Sequence, residues 1–252
     1  MATSPSRSEH IAHLCAVAAL FMRDHVLSRV SHDLRSPLNA IHSWAYVLER
    51  KIDAADAAAQ RAIGGIRTGV EQQVELLEKI VDTTRNETRR LQIAAAPFPA
   101  DAMINDALDD ARIALADARG VALVGRGMPC GATIDGDDER CKQALWLMLV
   151  FAAEASARGA TVTLDVGDDN GQLRLAAGFV ATLSALTDDA EPHRLEAFAR
   201  AQASGPQESG RAAWVLALCQ RVAEAHGGRF EAAPLADGAP ATLTLSLPTS
   251  PA

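Results

Sequence analysis

The chain is short of positive charge, of paired cysteines and of long apolar runs. Lysine plus arginine number 24 against 32 for aspartate plus glutamate, a formal net charge of −8. That balance excludes a protein whose work is gripping a nucleic-acid phosphate backbone. The four cysteines, Cys15, Cys130, Cys141 and Cys219, are scattered, with no CxxC pair and no disulfide-dense spacing. They read as core thiols of a reducing cytosol. The most apolar stretch, "IAHLCAVAALFM", falls far short of the ~20 residues that span a bilayer and runs into charged helical sequence. It has no basic leader and no cleavage motif. The expectation is a cytoplasmic chain without membrane contact. The few residues ahead of this stretch leave no room for a sensor module, so any signal is expected to arrive from another protein. Internal repeats are absent, and low complexity is confined to the termini.

What is present suits two small domains within 252 residues. Leu27, Val30, Leu34, Leu38, Ile41, Ala45, Leu48 and Ile52 recur in steps of three and four, one stripe of a long helix. A second stripe runs through Ile63, Ile66, Val70, Val74, Leu77, Val81 and Thr84, after a short connection near Asp53 to Ala57. This predicts an antiparallel helical hairpin. Two helices cannot enclose such stripes alone, and pairing two hairpins by two-fold symmetry makes a four-helix bundle, hence a homodimer. The alternative is a hairpin packed on its own C-terminal half. "AAAPFPA" breaks the helical pattern at Pro97 and Pro99, which sets the domains at 1–95 and 96–252. Beyond it, "DAMINDALDDARIALADARG", "DDERCKQALWLMLVFAAEASARG" and "GRAAWVLALCQRVAEAHGG" read as helices. "VALVG", "ATIDG", "TVTLDVG", "QLRLAAGF", "RFEAAPL" and "ATLTLSL" read as strands of a mostly antiparallel sheet. The second domain is therefore expected to be a two-layer α/β sandwich.

Within the first stripe lies "SHDLRSPLNAIHSW". On a helix His32 and Ser36 are four apart and share a face, while Asp33 sits about 100° round the axis from His32. A histidine attacks phosphorus only through an unprotonated ring nitrogen. A carboxylate that accepts from the other nitrogen fixes that tautomer and raises its nucleophilicity. Asp33 is placed for that role. Ser36 could hold a phosphoryl oxygen or position a water, and Arg35 could screen phosphate charge or simply be solvated. Pro37 removes a backbone hydrogen bond and is expected to bend the helix just past His32, widening access to the ring. His10, His13, His25, His42, His193 and His226 have no ligand-spaced partners and read as surface or packing residues. A metal site from His10, His13 and Cys15 has poor helical spacing, so no metal is expected.

"VSHDLRSPLNAI" resembles the H-box of the histidine kinases, S-H-[ED]-L-R-[TS]-P-L, carried on the first helix of a dimerisation and phosphotransfer hairpin. The resemblance continues through Trp44 into "LLEKIVDTTRNETRRLQI" and covers about residues 20–93. It implies that His32 is the phosphoacceptor, Asp33 the general base and Ser36 the hydroxyl of the phosphatase position, with Arg35 and Pro37 beside the docking receiver. The second half follows the order of the family's ATP-binding domain. Its chemistry-bearing motifs are replaced, however. The N-box N-L-L-x-N-A-x-K becomes "LMLVFAAE", putting Leu147, Phe151 and Glu154 at its two asparagines and its lysine. A magnesium ligand has become a phenyl ring, and a cation beside phosphate has become an anion. The Asp-x-Gly-x-Gly loop is missing from "VATLSALTDD". The G-x-G-L-G-L segment, whose amides approach phosphate at a helix start, aligns with "RAAWVL", Arg211 to Leu216, and Gly210 lies just outside it.

Three readings follow. The leading one is a dimeric histidine phosphotransferase of a two-component phosphorelay that uses no ATP and binds no cofactor of its own. In it His32 takes a phosphoryl group from an aspartyl phosphate of one response-regulator receiver domain, or of a hybrid histidine kinase, and passes it to another. The receiver brings the magnesium. The second is an ATP-dependent sensor histidine kinase with a divergent nucleotide site. The third is a non-catalytic adaptor, against which the intact set Asp33, Arg35, Ser36 and Pro37 argues.

Overall fold

The computed structural model describes residues 6–53, 56–88, 91–128, 130–205 and 212–250, with the side chains of 82–88, 169 and 213 not among those described. Contacts divide the chain into Arg23–Arg90 and a second unit assembled from Met1–Met22 with Leu91–Ala252.

The first unit holds most of α1 (Arg7–Lys51) and α2 (Ala57–Thr88). Three cross-hairpin ion pairs set an antiparallel register: Arg35 with Glu78 at 3.2 Å, His42 with Glu71 at 3.5 Å and Arg67 with Glu49 at 2.8 Å. On α1 these positions are seven apart. Beside them Ser31 and Ala45 are buried, with Leu38 and Ile52 half-buried, again at seven-residue steps. Facing them on α2, Ile63, Val70 and Val81 are buried and Val74 and Leu77 half-buried. The single stripe read along α1 is thus two rows. Val30, Leu34, Ile41, Trp44 and Leu48 form the other, which is exposed, as are Ile66, Leu76 and Ile80 of α2. An apolar arc this wide suits a helix with two apolar neighbours, not one. Thr84 lies outside the residues with described side chains, as do residues 54–55 of the connection.

The first turns of α1 are a correction to a hairpin domain reaching from residue 1 to 95. Ile11, Leu14, Ala18, Phe21 and Met22, at helical spacing, are buried within the second unit. Arg7 and His10 meet Asp110 at 3.4 and 3.1 Å. The stretch read as too short for a span also belongs to an 18-residue window of α1 with mean hydropathy 1.3, enough to cross a membrane by length and composition alone; a third of that window is buried.

The rest of the second unit is two-layered. Its five-stranded sheet runs in the order β2 (Ala122–Arg126), β4 (Thr161–Asp169), β5 (Gln172–Val180), β7 (Pro240–Pro248), β6 (Arg229–Ala232). All neighbours are antiparallel except β2 and β4. Alternate residues point inward, so Leu173, Leu175 and Ala177 stand opposite Leu247, Leu245 and Leu243 in one dry row. β4 and β5 are joined by Asn170 and Gly171, both at positive φ, as a two-residue hairpin of this hand requires. β1 (Ala96–Pro99) pairs with β3 (Thr133–Gly136) in a second small sheet. It occupies the proline-bearing stretch that the sequence suggested was only a break.

Helices α3 (Ala100–Ala111), a π-helical stretch (Arg112–Ala116), α4 (Asp117–Arg119), α5 (Asp138–Glu154) and α9 (Ala217–Ala225) form the second layer. Three short helices complete it: α6 (Leu183–Thr187), α7 (Ala197–Ser204) and α8 (Ala212–Val215). α5 starts at Asp137, whose carboxylate accepts from the Arg140 N–H at 3.0 Å. From Leu145 to Glu154 every residue of α5 is buried, the mark of a central core helix.

Candidate functional site

His32 lies mid-helix on α1 with its side chain 78% exposed. Its Nδ1 meets Asp33 Oδ1 at 3.2 Å, and the other oxygen of Asp33 meets Arg29 Nε at 3.4 Å, one turn earlier. The carboxylate is thereby held from two sides. With Nδ1 taken, Nε2 is the nitrogen left to attack. Ser36 is exposed one turn along the same face. Arg35 does not join this group, since its guanidinium crosses to Glu78 of α2. Pro37 sits inside the unbroken helix and leaves the Asp33 carbonyl without its usual N–H donor. The adjacent pair His32 and Asp33 is brought together, Ser36 stays within a turn of it, and Arg35 ties the hairpin.

In the second unit, the positions aligned with the family's nucleotide motifs serve the protein interior. Leu147 and Phe151 are fully buried. Glu154, also fully buried, accepts from the backbone N–H groups of Arg194 and Leu195 at 2.6 and 2.9 Å, and its Oε2 meets His193 Nδ1 at 2.9 Å. His193 Nε2 meets the Asp188 carbonyl at 2.9 Å. Both ring nitrogens of His193 are thus engaged by the protein. Arg119, 2% exposed, donates to the carbonyls of Glu154, Ala185 and Pro192, the first of them in the last turn of α5, where a cation is favoured. Arg200 donates to the Leu186 carbonyl and Asp189. The segment after β5 is thus bound down by buried side chains. Val215, at the last glycine position of the aligned loop, is buried; Gly210 and Arg211 lie outside the described residues. No signal in the sequence marked His193, Arg119 or Arg200, because their partners are backbone carbonyls or carboxylates 11 and 39 residues away.

The remaining candidates have structural roles. His10 pairs with Asp110. His226 Nδ1 meets the Val222 carbonyl at 2.7 Å, while its Nε2 accepts the Asp137 N–H at 2.9 Å. Cys141 and Cys219 are buried, whereas Cys15 and Cys130 are only partly so. Burial pushes the Cys141 thiol up to about 12, helped by the Asp137 and Asp138 charges, and raises Cys15, Cys130 and Cys219 as well. These thiols are protonated and poor nucleophiles. Among the described residues no group of three or more His, Cys, Asp or Glu side chains is arranged to hold a metal.

Residues 22–89, which include His32, match the model of the His Kinase A (phospho-acceptor) domain. The histidine protein kinase DivJ of Caulobacter vibrioides is 26% identical over 224 residues, 87% of this chain and 36% of that protein. The signal transduction histidine-protein kinase BaeS of Escherichia coli is 25% identical over 227 residues, 90% of this chain and 47% of that protein. The chain therefore spans about a third to a half of the length of these two curated relatives. The crystal structure of a histidine kinase from Burkholderia phymatum STM815 is 49% identical, covers 96% of this chain and 99% of that one, and superposes with a TM-score of 0.78. The helical hairpin with its exposed histidine, followed by the mixed α/β domain, makes this chain a member of the histidine kinase family.

Proposed function

We propose that this protein carries phosphoryl groups between response-regulator receiver domains through His32, as a homodimer and without using ATP. The observation that carries the reading is the pairing of an exposed His32–Asp33 site with a second domain whose Glu154 is consumed internally. Transfer asks little of this chain. The Nε2 lone pair attacks phosphorus of the receiver's aspartyl phosphate, the N–P bond forms, the P–O bond breaks, and the aspartate leaves as carboxylate. Asp33 holds the Nδ1 proton and offsets the positive charge that builds on the ring. Donation to the next receiver is the reverse. Positioning supplies most of the rate, because the receiver contributes its own magnesium and acidic pocket.

Leu147, Phe151 and Glu154 do not fit a magnesium nucleotide: two offer no oxygen and the third is an anion already bound to His193 and two N–H groups. The exposed apolar rows of the hairpin support the homodimer, since pairing two hairpins would cover them. A second reading, ATP-dependent autophosphorylation, is favoured by the relatives, which are named as kinases.

One labelling experiment separates the two. The purified chain, with His32→Ala as control, is given either γ-labelled ATP with magnesium or a phosphorylated receiver. Label from the receiver alone, lost in His32→Ala, is the expected result; label from ATP lost in the same variant makes the protein a kinase. Absence of His32-dependent label from both donors sinks both and leaves an adaptor. Asp33→Ala is expected to slow acceptance by ~100-fold with the helix content unchanged, and Ser36→Ala to alter mainly the loss of label to water.

A further inference from the structure

The sequence pointed to Arg35 as the cation beside His32, but Arg35 is tied to Glu78 at 3.2 Å. Another arginine stands at the site. Arg29 lies three residues before His32 and four before Asp33 on α1, which places it one turn earlier on the same side of the helix. Its Nε meets Asp33 Oδ2 at 3.4 Å, while the other carboxylate oxygen, Oδ1, meets His32 Nδ1 at 3.2 Å. Asp33 needs such a hold. His32 lies about 100° away round the axis, so the carboxylate must lean back to reach the ring. Its side chain is 56% exposed, and water competes for both oxygens. Pro37 brings no N–H to the Asp33 carbonyl, so the following turn does not tie this residue and the preceding turn does. As a stabiliser of the helix the pair is poor. Both side chains are more than half exposed, and a cation four residues ahead of an acid is the weaker orientation. Its effect falls on the ring.

We propose that Arg29 is the positioning residue of the phosphoacceptor, holding the Asp33 carboxylate against Nδ1 of His32 so that Nε2 keeps the lone pair. An ionised carboxylate only accepts, so the contact puts the ring proton on Nδ1. Arg29 acts through Asp33, not on the phosphoryl group. Its effect on rate rests on the phosphotransfer reading; its effect on the ring does not.

The test uses the full chain with isotope-labelled histidine nitrogens. Magnetic resonance in mildly alkaline buffer, where a free imidazole is neutral, reports which nitrogen of His32 carries the proton. The parent is expected to show the Nδ1–H form and Asp33→Ala to lose it. Arg29→Gln is expected to move the spectrum toward that of Asp33→Ala, and Arg29→Lys to restore the parent's. In acceptance from a phosphorylated receiver, Arg29→Gln is expected to cost ~10-fold, less than the ~100-fold of Asp33→Ala. It is expected to cost nothing further once Asp33 is replaced by alanine, the mark of a residue that works through another. Its urea midpoint is expected to stay at the parent's. A ring spectrum unchanged by Arg29→Gln, a further loss of rate on top of Asp33→Ala, or a lowered midpoint would each overturn the proposal. A chain that takes no label from the receiver sinks the phosphotransfer reading instead, and the ring spectrum then decides on Arg29 alone.

Discussion

Glu154 shows how much one side chain can change. At a position where the resembling kinases carry lysine, a carboxylate gathers two backbone N–H groups and a histidine with no exposure to solvent. Restoring the family's residue should therefore harm this protein. Glu154→Lys aims a cation at three donors in the interior and is expected to lower stability by about 3–5 kcal/mol, seen as a lower urea midpoint. Glu154→Gln keeps the acceptor oxygen and should cost about 1–3 kcal/mol. A midpoint for the lysine variant at or above the parent's would show that Glu154 does not hold residues 193–195 in place. The opposite case is His32, whose proposed chemistry needs exposure and one neighbour. It was legible in the sequence because its partner Asp33 is the next residue, whereas Glu154 could be seen only as a missing lysine.

Among the elements, the same contrast between near and distant partners decides what could be anticipated. The two helices of the hairpin and the strands of the main sheet announce themselves by period, in steps of three and four or of two. β1 does not, because its pairing with β3 joins residues 34 to 40 apart and its prolines sit at an edge. The helices α6 and α7 were also missed, being short, with α6 held by Arg119 from before the sheet and by Arg200 of α7. Nor could the pattern along α1 say that Leu38 and Ala45 face α2 while Ile41 and Trp44 do not, since both rows satisfy the helical period. The start of α3 offers a test by pH. The Asp101 carboxylate accepts the N–H groups of Cys130 and Gly131 at 2.8 and 3.0 Å, strapping the connection between β2 and β3 to the helix. Those two donors hold its carboxyl below the usual range. A lowered carboxylate stabilises the fold above the unfolded value, about 4, and the benefit is lost as pH falls through the folded value. The urea midpoint should thus drop on acidification below about pH 4, and Asp101→Asn should flatten that part of the profile. An unchanged profile would mean that the strap contributes nothing.

For the assembled protein, the exposed rows set the expectation. Ile41 is 47% and Leu48 48% exposed in the single chain, with Ile66 and Leu76 likewise uncovered on α2. Covering such rows is worth about 25 cal/mol per Å². The chain should sediment as a dimer at micromolar concentration, and Ile41→Glu together with Leu48→Glu should turn it into a folded monomer. Sedimentation of the double variant still as a dimer would move the interface elsewhere. The division of the second unit into two stretches has a consequence in time. His10 and Arg7 find Asp110 across 100 and 103 residues, so the apolar turns of α1 cannot be covered until that much more chain exists. At a synthesis rate of roughly 5–20 residues per second, Ile11, Leu14 and Phe21 leave the ribosome ~5–20 s before their partners do. During that interval they are open to any chaperone, or to the same turns of a neighbouring nascent chain.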